Sequence, residues 1–582
     1  MSANFKFFIV FILSICLISS LTINAQHGAF TEGVNAFDKV ENDFGNASRA
    51  IADVEEEWAL NGGSPTSSLN VFNGVDADED GNVYVIGTVQ GNAQFGTINV
   101  SATSGKQTLV LGKISKEGQW KWIYAASGDV SAGLDLDIRD QKIVISGSFR
   151  TSLTFGGKTI TSPTSNQEEG FVGSLDLNGN ATWLKAISGA GTQNTEEVEI
   201  GSDGAIYIAG EYFNNVVLGG TTYVRRGTGE KDMYVASMDA SGNFIWSADF
   251  GSIGRDFLED MDLSLNDQLI LTGNFTETMT LSDGKTFSSV KNNKEDAYVI
   301  VMSKQGGFIV YGGFSGDDDV NGAAVCFAPS GHAFLAINFD ENINYFGQEY
   351  GSVGGDWGYL LITIAPSAQM SLLLAATGDE FIKGIDIDKN GNIYFTGGVI
   401  ENGFGAAADI TLFKIEWLSQ SQFVVRNYGV SSSSNSWDQP YDLCADGNGG
   451  VYVVGEHEDK LYISGGVTLT STAPQMAVVV AYSDEQDTSG SGGTTSLIQS
   501  ISEQGAIQLY PNPVNDVLTI KFENTPNNVV DARVVDIYGK VVLIKEITTM
   551  QSIIRVEEIP AGLYFVQITN GDETTAIKFQ KE

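Results

Sequence analysis

One motif recurs along this chain at a nearly constant interval, and it restricts the fold more than any other feature. An apolar strand is followed by an Asp/Gly/Asn turn and then by a β-branched, aromatic strand that ends in Gly. It reads VDADEDGNVYVIG to Gly87, LDIRDQKIVISG to Gly147, VEIGSDGAIYIAG to Gly210 and MDLSLNDQLILTG to Gly273. It continues as VCFAPSGHAFLAIN around Ile337, IDIDKNGNIYFTG to Gly397 and LCADGNGGVYVVG to Gly455. Successive spacings are 60, 63, 63, 64, 60 and 58 residues. Such a period marks a repeat architecture, in which each unit buries its apolar face only against its neighbours.

Every copy carries a second strand pair, for example TLVLGKIS with QWKWIYAASG and DMYVASMD with FIWSADFG. The turns between them (KEG, LNGN, ASGN, KQGG) have the Gly/Asn chemistry of tight antiparallel hairpins. Four antiparallel strands per unit, repeated radially, describe the blade of a β-propeller. The units exceed a minimal blade, and the surplus between the second and third strands predicts an extra, protruding hairpin. Trp122, Trp183 and Trp246 share one place in the fourth strand, followed by Val310. Trp58 belongs to this column although no full unit precedes it, while the seventh copy stops after three strands. The prediction is an all-β, seven-bladed propeller over 54–484, closed by the N-terminal strand around Trp58, with a small C-terminal β-sandwich behind it. From Asp388 to Gly397, and from Asp78 to Gly87, the turn and second strand resemble the bacterial β-propeller repeat, Asp-x-x-Gly-Asn-Ile-Tyr-x-x-Gly. That resemblance spans about 57–484 and implies a fold without implying a function.

The two ends of the chain read as addresses. Residues 1–25 have the form of a secretory signal peptide: Lys6, an apolar core from Phe7 to Leu21, and cleavage between Ala25 and Gln26. The lipoprotein alternative at Leu13-Ser14-Ile15-Cys16 is poor, because Ile15 is not small. No apolar run reaches the roughly 20 residues of a membrane-spanning helix. Residues 26–53 form a polar leader or short helix before the closing strand, and 485–505 are a Ser/Gly-rich linker. Residues 506–582 form short alternating strands with Pro/Asn/Gly turns. They carry Tyr510-Pro511-Asn512-Pro513, Asp536 with Gly539, Pro560, Gly562 and Tyr564, and a tail with Lys578 and Lys581. On these residues the segment closely resembles the C-terminal sorting domain of type IX secretion substrates. The resemblance implies a Gram-negative bacterium, passage through the periplasm and across the outer membrane, and the type IX machinery as partner. It also implies loss of the domain on export, with release or attachment to the cell surface.

Charge and composition exclude several functions. Thirty-two Lys and Arg stand against 72 Asp and Glu, a net charge of −40, which repels nucleic acid. Three Cys and three His in 582 residues leave no clustered zinc ligands. Asp76, Asp78 and Asp80, with Gly81, look like half a calcium loop, and Asp386, Asp388 and Asn390 repeat it. The further carboxylate of an EF-hand is missing at Gly87, so calcium is a candidate cofactor weighed against a plain Asx turn. In the first strands Asp76, Glu199, Asp262 and Asp386 align, joined by Asp135 or Asp137, with Cys326 and Cys444 in the remaining two places. This column lines either a cation-attracting channel or a set of carboxylates that accept backbone N–H bonds between blades. The two cysteines fall in blades five and seven and are expected to be free and buried. His332 and His457 have no triad-like partners in sequence. The residues favour a secreted or surface-displayed binding or adhesion platform for extracellular glycan or protein over an enzyme; a polysaccharide lyase or glycosidase at the channel mouth is the alternative.

Overall fold

A computed structural model describes residues 56–483 and 507–581 with short breaks, the longest at 401–407 and 523–529. Two compact units emerge, one of residues up to Lys414 with Asn427–Glu485, the other of Ile415–Arg426 with Gln486–Glu582. The residues of the signal, leader and linker readings lie outside the described chain, which begins with the strand at Glu56.

All described regular structure is β, and no helix is long and apolar enough to cross a membrane. The repeats become four-stranded antiparallel sheets in the order first, second, third, fourth strand. The first is Asn70–Ala77, Val83–Gln90, Gln107–Ile114 and Trp120–Ala125. The next five begin at Ser131–Arg139, Glu197–Ile200, Asp256–Leu263, Val320–Phe327 and Glu380–Ile387. The last joins Gln439–Ala445, Gly450–His457 and Met476–Ser483 to the N-terminal strand Glu56–Gly63. Leu60 opposes Val479 there, and Trp58 opposes Ala481. Second and third strands are almost wholly buried, as in VYVIGTV and DMYVASM, which explains their continuous apolar character rather than alternation. A Gly ends six of the seven second-strand motifs because a side chain there would meet the first strand's backbone: a Cβ on Gly87 would lie 2.0 Å from the Val71 carbonyl, and at the seventh, Ile337, the opposing first-strand residue is itself Gly322.

The surplus hairpins exist, but they do not protrude as expected. Among the described residues they turn back to the preceding sheet, pairing with its fourth strand or with the residues just beyond it. Leu153 opposes Gly128, Leu281 opposes Phe250, and Ser431 opposes Tyr462. The hairpin of the first repeat does the same to the N-terminal strand, with Gly62 opposite Phe95. Exposed strand edges are liabilities, and this pairing covers them.

The Trp column is a second link between neighbours. Trp183 Nε1 donates to the Ala240 carbonyl at 3.1 Å, and Trp246 Nε1 to the Lys304 carbonyl at 2.9 Å, each on the turn of the following sheet. Trp58 repeats this on the first sheet, donating to Lys116 at 2.8 Å. The turn glycine of the neighbour lies beneath the indole. Gly118 has φ +74°, and a Cβ there would come within 2.4 Å of Trp58. Gly118→Ala is therefore expected to lower stability by about 2–4 kcal/mol, from left-handed strain plus overpacking. Gly204→Ala has a similar φ of +78° and no atom within 4 Å, and should cost only about 1 kcal/mol. Urea unfolding of the two variants separates the terms, and equal losses would show that the indole contact contributes nothing.

Candidate functional site

First strands form the innermost layer of the large unit, and their inward residues create its central chemistry. At one level stand Asp76, Asp137, Glu199, Asp262, Cys326, Asp386 and Cys444, each opposite the same second-strand position. Asp137, and not Asp135, completes the column drawn from sequence. Asp135 belongs to a second level two residues earlier, with Glu197, Asp260 and Asp442.

These aspartates act as staples. In all of them but Asp137 one carboxylate oxygen accepts the N–H of the next residue, and in every one an oxygen accepts an N–H from the neighbouring sheet's first strand. Asp76 takes Ala77 N at 2.7 Å and Ile138 N at 2.6 Å. Asp135 reaches Val198 N at 2.8 Å, Asp137 reaches Ile200 N, and Asp260 reaches Val325 N at 2.7 Å. Asp262 bonds Phe327 N, and Asp386 bonds Ala445 N at 2.8 Å. Asp442 of the last sheet bonds Val75 N of the first at 2.9 Å, and Cys444 Sγ donates to Asp76 at 3.3 Å. Both cysteines are free and buried.

Such N–H donors would ordinarily pull a carboxylate's pKa down. These carboxyls are half-buried, and their desolvation among the first strands, with other carboxylates near, outweighs the donors. It lifts Asp386 to about 6 and Asp262 and Asp442 to about 7. Desolvation likewise holds Asp76, Asp135, Glu197, Glu199 and Asp260 well above the usual carboxylate range.

The calcium-loop residues are spread over separate tasks. Asp76 is a staple, and Asp80 is exposed. Asp78 folds its own turn, accepting Asp80 N, Asn82 N and the Asn82 amide, while its other oxygen meets Tyr84 OH and Lys113. Asp386 is a staple, Asp388 accepts Asn392 N at 2.9 Å, and Asn390 lies outside the described residues. Among the described residues no three His, Cys, Asp or Glu side chains converge where they could hold a metal ion. His457 packs on the closing strand, its Nε2 3.0 Å from the Asn61 amide, and burial pushes its pKa down to about 4.

A cavity of about 190 Å³ opens where the second sheet meets the third, a site that reading the motifs one by one does not reveal. Polar groups come from Gln107, Ser148, Arg150, Glu168, Asn194 and Glu196; Val130, Ala132, Leu134 and Phe149 complete the lining. Arg150 Nη2 pairs with Glu168 Oε2 at 3.2 Å. The Asn194 amide donates to Glu196. Burial, then the nearby Glu211 carboxylate, raises Glu196 to about 8, so it holds its proton at neutral pH. Ser148 is too short to span this junction. In the following sheets Glu211, Asn274 and Asn338 stand at that position and bridge to Leu258 N, Gly322 N and Ile382 N of the next sheet. Across the repeats that position reads Thr88, Ser148, Glu211, Asn274, Asn338, Gly398 and Glu456, so Ser148 is one of three small residues there.

In the small unit two sheets face each other, one of Ile507–Tyr510, Val517–Phe522 and Gln551–Arg555, the other of Val541–Ile547, Val530–Asp536, Gly562–Asn570 and Glu573–Lys581. Leu518, Ile520, Val534, Val566 and Phe579 form their shared core. Tyr564 is buried against Phe579, and its hydroxyl donates to the Pro560 carbonyl at 3.0 Å, fixing the turn into the Gly562 strand. Tyr510 ends the first strand, Asp536 lies opposite Tyr564, and Lys578 lies opposite Phe565. Pro511, Asn512, Pro513 and Gly539, like Ala25 and Gln26, are outside the described residues.

The raised staple carboxyls have a thermodynamic sign. A carboxyl whose folded pKa exceeds its unfolded value stabilises the fold below the unfolded value, and that stability is lost as pH rises through the folded one. Stability should therefore fall between pH 4 and about 7 across the titrations of Asp386, Asp262 and Asp442. Neutral buried His457 acts the other way, with stability lost as pH falls from about 6.5 toward 4. Thermal unfolding from pH 4 to 8 should show a flatter alkaline limb in Asp262→Asn, and a flatter acid limb in His457→Gln. Limbs unchanged in both variants would refute the assignment.

Residues 508–582 match the family model of the secretion system C-terminal sorting domain. No curated protein matches the chain. Among solved structures, virginiamycin B lyase from Staphylococcus aureus is similar at 10% identity and TM-score 0.39, covering 72% of this chain and 98% of that one. Puromycin hydrolase aligns at 12% identity and TM-score 0.41, covering 79% of this chain and 59% of its own. PorZ, a surface component of the type IX secretion system of Porphyromonas gingivalis, aligns at 12% identity and TM-score 0.17, covering 89% and 99%. The chain is thus an all-β, propeller-like protein that carries a type IX secretion C-terminal sorting domain, the signal that directs export to the cell surface or beyond.

Proposed function

We propose that this protein is an extracellular binding platform: a seven-bladed propeller over 54–484 closed by the N-terminal strand, whose rigid rim holds a glycan or a surface protein. Closure is supported by three contacts across the junction of last and first sheets: Trp58 to Lys116, Gly62 opposite Phe95, and Asp442 to Val75. The signal at 1–25 brings the chain to the periplasm, the linker at 485–505 separates the platform from its address, and 506–582 engages the type IX machinery. The observation that carries the binding reading is the cavity at the second junction, where Gln107, Ser148, Arg150 and Glu168 project from strands and Asn194 and Glu196 from the segment just before one.

Two measurements test this. The full-length protein, incubated with insoluble polysaccharides in calcium or in chelator, is expected to be retained without releasing sugar. Released oligosaccharide would replace this reading with the lyase or glycosidase one, and absence of retention would turn it toward a protein partner. In cells, deletion of 506–582 is expected to leave the protein in the periplasm. Its appearance outside without that segment would refute the sorting role.

A further inference from the structure

The cavity beside Ser148 is specific enough to indicate what it holds. Its charges are compensated although the chain as a whole carries −40. Arg150 and Glu168 form one ion pair, and the proton on Glu196 removes the other charge at neutral pH. What remains is an uncharged set of donors and acceptors: the Gln107 amide, the Ser148 hydroxyl, the Asn194 amide and the Glu196 carboxyl. The side chains of Gln107 and Ser148 make no hydrogen bond with any described residue, so both are available to a guest. Beside them, Leu134 and Phe149 give the wall an apolar side.

A volume of about 190 Å³ is below the ~300–1,000 Å³ of pockets that take nucleotides or drug-sized cofactors. It suits one small ring with hydroxyls at its edge and an apolar C–H face. A charged guest would leave its charge unpaired in a partly buried, compensated site, which is costly. We infer that this cavity is a subsite for a single neutral sugar residue of a glycan, held at its hydroxyls by Gln107, Ser148 and Glu196. The inference rests on the platform reading and gives its ligand a chemical class.

The sequence already contains a way to close the site. Asn274 and Asn338 occupy the matching positions two and three sheets on, where each bridges to the next sheet. Ser148→Asn should therefore fill the cavity with a side chain that this framework accepts elsewhere. Gln107→Ala removes an exposed amide that supports no described contact, so folding is not at issue.

Saturation-transfer NMR with glucose, galactose and mannose on the full-length protein is the test, with galacturonate and glucosamine as charged controls. At least one neutral hexose is expected to receive saturation. Ser148→Asn should abolish the signal, and Gln107→Ala should weaken binding about fivefold, the loss of one neutral hydrogen bond. A signal unchanged in both variants, or charged sugars bound as well as neutral ones, would overturn the inference. Retention on polysaccharide without any hexose signal would overturn it while leaving the platform reading standing; failure of both would remove the platform reading as well.

Discussion

The structure depends on a bond between an aspartate of one sheet and a backbone N–H of the next. The innermost strand of each sheet has one edge turned away from its own partners, and backbone donors on such an edge need acceptors. Asp76, Asp137, Asp262 and Asp386 supply them at one level, and Asp135, Asp260 and Asp442 at another. The same geometry gathers carboxyls into a confined space, where desolvation raises their pKa despite their N–H donors. Attachment and electrostatic tension therefore arise from the same side chains.

The three kinds of junction contact use different physics. Carboxylate staples are directional, the indole over a turn glycine is steric, and the hairpin on the preceding sheet continues its hydrogen bonding. A local substitution can weaken one without opening the junction. This redundancy lets the residue after the second-strand Gly vary from Glu211 to Asn274 to Ser148. At Ser148 the framework holds and the residue lines a cavity.

Much of this was legible in the sequence because repetition shows which positions are equivalent. The strand order, the N-terminal strand in the last sheet and the buried cysteines follow from aligning Gly87 with its counterparts, and Trp58 with Trp122. The destination of the surplus hairpins was not legible, since pairing with a preceding sheet depends on how sheets splay and not on local pattern. Alternation alone left Asp135 and Asp137 unresolved, because both point inward and only the register separates them. Asp76-x-Asp78-x-Asp80 resembled a cation loop because the spacing of a hairpin turn coincides with that of such a loop, while the partners that occupy Asp78 come from Asn82, Tyr84 and Lys113.

The seventh sheet also sets a timetable. Residues 56–63 are among the first of the large unit to be synthesised, yet their partners are 476–483, the last. The sheet that contains the start of the large unit must wait for more than four hundred residues to follow, and contacts of such sequence separation form slowly. The sorting domain follows within a few dozen residues of that partner strand. Completion of the cargo and emergence of its export address thus fall almost together, so a chain truncated before the address is also one that has barely acquired the means to finish folding.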